Sequence, residues 1–124
     1  MDKENEIVCY ILVRTDLNMP VGKVAAQVGH GVQYMILTMG SHTPEQAAWF
    51  QEWRHSSTKI VLGVSSLEEM NGIINKVDGT GYLIHPVTDE GRTCVEPNTL
   101  TVACMAPLPR AMAKPFVSHL RLLK

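Results

Sequence analysis

The sequence lacks the usual marks of secreted, metal-binding and membrane proteins. Its three cysteines, Cys9, Cys94 and Cys104, are odd in number and widely spaced, and they form no Cys-x-x-Cys metal or redox pair. Their apolar surroundings predict buried, reduced thiols, as in a cytosolic protein. The apolar runs have only the length of strands, and the charged start MDKENE is no signal peptide. We therefore expect a cytoplasmic protein without a membrane span.

The sequence also lacks an excess of charge of either sign. Eleven basic residues stand against 12 acidic ones, for a formal net charge of −1. Wholesale binding of nucleic acid through positive charge is therefore excluded, and any such site must be a local patch. With 124 residues, the chain has the size of one ordinary domain, so we expect a single domain over residues 1–124.

Hydrophobic patterning predicts four strands and four helices. Continuous or alternating apolar runs indicate the strands, and apolar residues three or four apart indicate the helices. The predicted strands are 7–14, 58–64, 81–87 and 100–108, and the helices cover 21–40, 43–54, 67–79 and a short C-terminal segment that Pro115 interrupts. Helices that connect the first three strands, followed by a hairpin, indicate an α/β fold.

Details of these segments predict their places in the fold. The first strand is apolar throughout, which is typical of a central strand buried on both faces. Pro86 puts the third strand at an edge or makes it end there. Gly29 and Gly31 weaken the first helix by propensity, and we expect them to permit close packing against the sheet. Gly40 suits a cap at its end.

Lys23 lies where the first helix begins. A helix N-terminus already carries partial positive charge and unpaired N–H groups, so a lysine there opposes the dipole. One interpretation is an ordinary solvated lysine. The other is that the ammonium and the dipole together hold a phosphate, a carboxylate or a developing oxyanion.

The polar loop of residues 88–98 follows the third strand. It contains Asp89, Glu90, Arg92 and Thr93 within five residues. Ligands of open α/β sheets bind beyond the carboxyl ends of the strands, so we expect Lys23 and this loop to meet. Asp and Lys together can orient a water and stabilise charge, as ester hydrolysis requires. The alternative is a turn with a surface ion pair.

Several spaced motifs resemble the type II peptidyl-tRNA hydrolase family. They are VRTDLNMPVGKVAAQVGH, TKIVLGV, TDEGRT and EPNTLTVACMAP, in the family's order over most of residues 7–107. The resemblance implies three layers, α/β/α, around a four-stranded mixed sheet whose last strand is antiparallel. It also implies hydrolysis of the ester between a peptide and the terminal ribose of tRNA, without a metal or organic cofactor, and a possible homodimer.

The resemblance also implies the site residues. The family's functional positions fall on Lys23, Asp89, Thr93 and Thr101, with Gln27, His30 and Arg92 as neighbours that bind substrate. In the mechanism we expect, Asp89 positions or deprotonates a water. Lys23 then stabilises the oxyanion or keeps Asp89 ionised, while Thr93 and Thr101 hydrogen-bond the ester or orient Asp89.

The chain departs from the family pattern in three places. It lacks the first lysine of the motif M-G-K-G-K, it has Glu90 in the loop, and its C-terminus is extended, as in a divergent member. The first two changes weaken electrostatic binding of tRNA. Two alternatives therefore stay open: a non-catalytic module that binds RNA or protein on the same fold, and an esterase for another aminoacyl or peptidyl ester.

The remaining aromatic and histidine residues have plainer interpretations. Trp49 and Trp53 lie four apart beside Phe50, and packing in the core or a dimer is favoured over stacking on a base. His30 is equally consistent with a buried histidine satisfied by the backbone. The other histidines have no ligand spacing, so we expect no metal site.

Overall fold

The computed structural model of the protein describes residues 3–39, 42–90 and 96–124. Short 3-10 turns at Lys3–Asn5 and Thr15–Leu17 flank the first strand. The other elements in chain order are β1 (Ile7–Arg14), α1 (Val21–Thr38), α2 (Pro44–Ser56), β2 (Lys59–Val64), α3 (Leu67–Thr80), β3 (Ile84–Thr88), β4 (Leu100–Met105), β5 (Leu108–Pro109), α4 (Arg110–Val117) and β6 (Arg121–Leu122).

The sheet has the order β3-β4-β1-β2-β6, and β5 pairs with β1. Strands β1 and β2 are parallel, whereas β4 runs antiparallel to both β1 and β3. The predicted α/β class, the central first strand and the edge position of β3, which contains Pro86, are confirmed. The predicted number of four strands is wrong, because the two-residue strands β5 and β6 pair with β1 and β2. Two residues are too few to leave an alternating pattern in the sequence.

The sheet is covered on both faces. Alternate residues of β1 point to opposite sides: Val8, Tyr10 and Leu12 pack with α3 and α4. Ile11 and Val13 pack with α1 and α2. The hydrophobic residues of β1 are therefore buried in two separate cores, and the predicted three-layer arrangement is confirmed.

The helix boundaries follow local capping. The Thr43 side chain accepts a hydrogen bond from the backbone N–H of Gln46 at the start of α2, and Ser66 does the same for α3. Gly81 caps the C-terminus of helix α3, and its φ of 87° suits glycine. The predicted interruption at Pro115 is wrong, since α4 continues to Val117. Burial of the two residues after Pro115 offsets the hydrogen bond that proline cannot donate.

Two glycines of α1 differ in their surroundings. A Cβ on Gly31 would lie 3.1 Å from the Cβ of Cys104 in β4, so this glycine lets the helix approach the sheet closely. A Cβ on Gly29 would meet nothing within 4 Å. The expectation of close packing is therefore confirmed for Gly31 and wrong for Gly29. The expected cap at Gly40 lies outside the described residues.

Cysteine and tryptophan side chains fill the core facing α1 and α2. Cys9 and Cys104 are buried and free, as predicted, with their Sγ atoms 3.5 Å apart; Cys94 lies outside the described residues. Trp53 is also buried, and its indole N–H donates to the carbonyl of Thr58. Trp49 and Phe50 pack partly buried against the same core. Core packing is thus confirmed for this aromatic group.

Candidate active site

A cleft of about 790 Å³ lies where α1 begins and β3 ends. One wall consists of one face of α1, from Pro20 to Tyr34, and the other consists of residues 87–90. Both the chain after β1 and the chain after β3 reach this edge of the sheet, because the two strands run in the same direction. The cleft is therefore at the carboxyl ends of strands, where α/β sheets bind ligands.

Lys23 and Asp89 meet in this cleft, as the sequence predicted. The ammonium of Lys23 donates to Oδ1 of Asp89 in an ion pair. The side chains are only 11% and 5% exposed, respectively. A carboxylate buried to this degree requires a compensating partner, which the ammonium supplies.

The backbone of Asp89 is fixed from the opposite side. Its N–H donates to the carbonyl of Thr99 at 2.9 Å, and its carbonyl accepts from the N–H of Asn98 at 2.6 Å. Asn98 has a positive φ of 64°, which asparagine tolerates better than most residues. The segment before β4 thus determines where the carboxylate stands.

Gln27 and Thr101 form a buried chain of hydrogen bonds beneath the cleft. The Gln27 side-chain amide donates to Oγ1 of Thr101 at 2.7 Å, and this hydroxyl donates to the carbonyl of Val87 at 3.1 Å. Both residues are buried, and Thr101 is fully so. The hydroxyl proton is therefore engaged by the carbonyl of Val87.

A β-bulge produces this placement of Thr101. Val87 pairs with Val102, but Thr88 pairs with Leu100, so β4 has one residue more than β3 at this point. The additional residue is Thr101. Bulges occur next to active sites because they redirect a side chain out of the regular alternation.

The first turn of α1 offers backbone donors to the cleft. Intrahelical bonding starts with the N–H of Val24, which donates to the carbonyl of Pro20. Among the described residues, no side chain caps the N-terminus of this helix. The N–H groups of residues 21–23 therefore have no intrahelical acceptor, and Gly22 and Lys23 line the cleft.

Two aromatic side chains extend the cleft along α1. The rings of His30 and Tyr34 are stacked with centroids 6.2 Å apart and an angle of 17° between their planes. Both residues are exposed and line the cleft. Burial of His30, the plainer interpretation, is therefore wrong. Our reading of the sequence missed Tyr34, although its position eleven residues after Lys23 puts it on the same helix face.

Arg14 is a second residue missed in the sequence. It is 8% exposed and donates to both carboxylate oxygens of Asp16, at 3.1 and 2.6 Å. This hydrogen bonding lowers the pKa of Asp16 below its usual value. The third nitrogen of Arg14 donates to the carbonyl of Leu100 at 3.1 Å. Arg14 thereby ties the end of β1 to the residue before Thr101.

The structure brings five of the seven predicted site residues to this region. Lys23, Asp89 and His30 line the cleft, Gln27 lies at its base, and Thr101 lies beneath it. Arg92 and Thr93 lie outside the described residues. Within residues 3–39, 42–90 and 96–124, no group of histidine, cysteine or acidic side chains has the arrangement of a metal site. No helix in the same ranges is long and apolar enough to cross a membrane.

Comparison with known proteins gives one consistent result. The model of the family described as "Peptidyl-tRNA hydrolase PTH2" matches residues 7–123. A peptidyl-tRNA hydrolase from Metallosphaera sedula is 37% identical over 114 residues, which cover 91% of this chain and 97% of the relative. Relatives with the same name from Sulfolobus acidocaldarius and Aeropyrum pernix are each 36% identical, over 91% and 90% of this chain and 97% and 92% of their own lengths.

Proposed function

The chain belongs to the peptidyl-tRNA hydrolase family PTH2 and hydrolyses the ester bond of peptidyl-tRNA, and we propose that Asp89 and Lys23 carry out this reaction. The observation that supports this assignment best is their ion pair at the head of the cleft. A buried, paired carboxylate beside an ammonium has the two functions that ester hydrolysis needs, a proton acceptor and a positive charge.

Asp89 is the general base in this proposal. Its carboxylate takes a proton from the water that attacks the ester carbonyl carbon, which gives a tetrahedral intermediate. The intermediate then breaks the bond to the ribose oxygen, and the proton from Asp89 goes to that oxygen as it leaves. The products are the free carboxyl end of the peptide and tRNA with an intact terminal ribose. The backbone bonds to Thr99 and Asn98 support this role, because they fix the carboxylate before substrate arrives.

Lys23 stabilises the negative charge of the intermediate. Lys23 lies in the first turn of α1, where the backbone N–H groups of residues 21–23 have no intrahelical acceptor, and both Lys23 and Gly22 line the cleft. Helix N-termini favour anions, and the oxyanion of the intermediate is the anion that this reaction forms. A lysine at a helix N-terminus opposes the helix dipole, and stabilisation of the oxyanion accounts for this unfavourable position of Lys23.

Gln27 and Thr101 are positioning residues that orient Asp89. Since the Thr101 hydroxyl donates to Val87 and accepts from Gln27, it holds the end of β3 two residues before Asp89. Of the two roles expected for Thr101, orientation of Asp89 is therefore favoured over a hydrogen bond to the ester. The family resemblance assigns Thr93 to the reaction and His30 and Arg92 to substrate binding, and we keep these roles as proposals.

We propose further that the enzyme acts in the cytoplasm as a homodimer. The family resemblance suggests the dimer, and an apolar hollow of about 520 Å³ on α1, away from the ion pair, offers a surface for it. Ile36 and Leu37 border this hollow with exposures of 45% and 72%. Leu37→Asp is expected to convert a dimer into monomers in sedimentation equilibrium. A wild-type protein that sediments as a monomer at micromolar concentration would contradict the dimer.

Release of tRNA from a defined substrate tests the enzymatic proposal. Purified protein is incubated with an N-acetylaminoacyl-tRNA, and free tRNA is separated and counted over time for wild type and Asp89→Asn. We expect hydrolysis by the wild type and a strong loss in the variant. A binding module instead predicts the same slow rate for both proteins, with tight binding retained. An esterase for another substrate predicts faster cleavage of simple aminoacyl esters than of this tRNA.

A further inference from the structure

The stacked pair of His30 and Tyr34 has no role in the chemistry proposed for Asp89 and Lys23. Tyr34 is 46% exposed, so it leaves a large aromatic surface in contact with water. The plane of its ring is within 17° of the plane of the imidazole. The two nearly parallel rings lie about one turn apart on one helix face and contribute aromatic surface to the wall of the cleft.

The spacing of His30 and Tyr34 from the Lys23–Asp89 ion pair suits a substrate that extends along α1. Seven and eleven residues separate His30 and Tyr34 from Lys23, which at the rise of an α-helix corresponds to about 10 and 16 Å along the axis. All three side chains line the same cleft. A substrate whose ester is held at Asp89 therefore has its next groups beside these rings.

The described residues of the cleft carry little positive charge. Among its described lining residues, Lys23 is the only lysine or arginine, and it is paired with Asp89. Glu90 adds a negative charge at the same edge. Beside the contact proposed for Arg92, the described wall of the cleft along α1 therefore offers the substrate mainly uncharged surface.

Stacking on bases is the interaction that this surface offers. Every base has a π-face, and aromatic side chains stack on unpaired bases without regard to sequence. The scissile ester is on the terminal ribose of tRNA, so unpaired bases are adjacent to it in every substrate. Peptide side chains, in contrast, differ from one substrate to the next.

We propose that His30 and Tyr34 form a stacking platform for the unpaired bases at the 3′ end of tRNA. This subsite rests on the proposed reaction at Asp89 and Lys23. The terminal adenine stacks on the ring nearer to the ion pair, His30, and the preceding base stacks on Tyr34. The platform places the ester at the carboxylate whatever peptide is attached.

Steady-state kinetics with ring variants test the platform. Tyr34→Ala is expected to raise KM for N-acetylaminoacyl-tRNA about 5- to 100-fold with kcat changed less than about threefold, because one stacking contact is removed from binding. Tyr34→Phe keeps the ring and should stay within about twofold of wild type. Leu67→Ala, on α3 with a similar exposure of 43%, is the matched control and should have no effect.

A substrate without bases separates stacking from contacts with the peptide. On a tRNA whose last two nucleotides are abasic, wild type should lose affinity and Tyr34→Ala should lose nothing further. An equal rise in KM for Tyr34→Ala on normal and abasic substrates would overturn the platform. A KM for Tyr34→Ala equal to that of wild type on the normal substrate would overturn it as well.

Binding of the trinucleotide CCA distinguishes failure of this subsite from failure of the proposed reaction. CCA carries no ester, so its affinity for wild type, Tyr34→Ala and His30→Ala is measured by NMR titration independently of turnover. Weaker binding to both variants than to wild type and Leu67→Ala supports the platform even if no tRNA is released. Equal binding to all four proteins overturns it even if the wild type is an active hydrolase.

Discussion

The ammonium of Lys23, in the first turn of α1, pairs with the carboxylate of Asp89, 66 residues later in the chain and just beyond β3. The pair connects a helix to the end of an edge strand, and both side chains are nearly buried. Because each charge compensates the burial of the other, removal of either affects both stability and chemistry.

Asp89→Asn is expected to lower kcat by about two to four orders of magnitude, since it removes the proton acceptor and keeps the shape of the side chain. Affinity for uncleaved substrate should change little. Single-turnover measurements with saturating enzyme check the rate. The matched control is Glu90→Gln, which removes the adjacent carboxylate at the exposed edge of the cleft and should retain most of the rate. If both variants lose the same fraction of kcat, a general effect of charge is responsible and Asp89 is not the base.

Lys23→Ala is expected to reduce both the rate and the stability. It removes the ammonium from beside a buried carboxylate, a loss that costs up to about 3–5 kcal/mol in a fully buried pair and less at 11% exposure. The double variant Lys23→Ala/Asp89→Asn should recover part of this loss, because its amide is neutral, and it should lose less activity than the two single effects combined. Urea denaturation compares the free energy of unfolding of the wild type, the two single variants and the double variant. Strict additivity in the free energy of unfolding would mean that the two groups do not interact.

Thr101→Val is expected to destabilise the protein by about 1–3 kcal/mol and to lower kcat, because the Gln27 amide and the Val87 carbonyl lose their partner. Thr101→Ser retains the hydroxyl and should restore most of both. A direct contact between Thr101 and the ester instead predicts a loss of kcat in Thr101→Val with an unchanged denaturation midpoint.

The fold and the ion pair were predictable from the sequence because the hydrophobic patterns of β1 and α1 are uninterrupted. The eight residues of β1 are apolar up to Arg14, and the helix that follows has a regular period, so strand direction alone brings Lys23 to the loop after β3. Burial of Thr101 was not predictable. Residues 100–105 have the pattern of an uninterrupted strand, and a bulge depends on the partner strand. The course of α4 through Pro115 likewise depends on a core formed by distant segments.

In the monomer, Gly29→Ala is expected to stabilise the fold by about 0.5–1 kcal/mol through helix propensity, since its Cβ meets nothing within 4 Å in the same chain. Gly31→Ala offers the same gain in helix propensity, but its Cβ would lie only 3.1 Å from the Cβ of Cys104. Such overpacking typically costs about 1–3 kcal/mol, so we expect a net loss or no gain. Thermal unfolding of the two variants compares them, and an equal gain in both would show that α1 does not depend on close contact at Gly31.

The free energy of unfolding is expected to fall as pH drops below about 6.5, the ordinary pKa of histidine. Burial lowers the pKa of His85, and the nearby charge of His42 lowers it further. The unfolded chain then binds a proton at a higher pH than the folded protein does, so acid favours unfolding, by at most about 1.4 kcal/mol per pH unit for one group. Urea titrations between pH 7.5 and 5 measure this slope. His85→Gln should reduce it, and an unchanged slope would assign it to other groups.

Because the thiols of Cys9 and Cys104 are buried in the core of the sheet, their rate of chemical labelling measures how often the sheet opens. They face each other between β1 and β4, and the hydrogen bond to Cys9, followed by burial, raises the pKa of the Cys104 thiol. An alkylating reagent attacks thiolates, so it reaches these cysteines only when β1 and β4 separate. After Cys94→Ser, the rate at which the remaining thiols are labelled equals the intrinsic rate of the reagent multiplied by the equilibrium constant for opening, provided that closing is fast. Mass spectrometry of labelled protein then follows how often the sheet opens under native conditions.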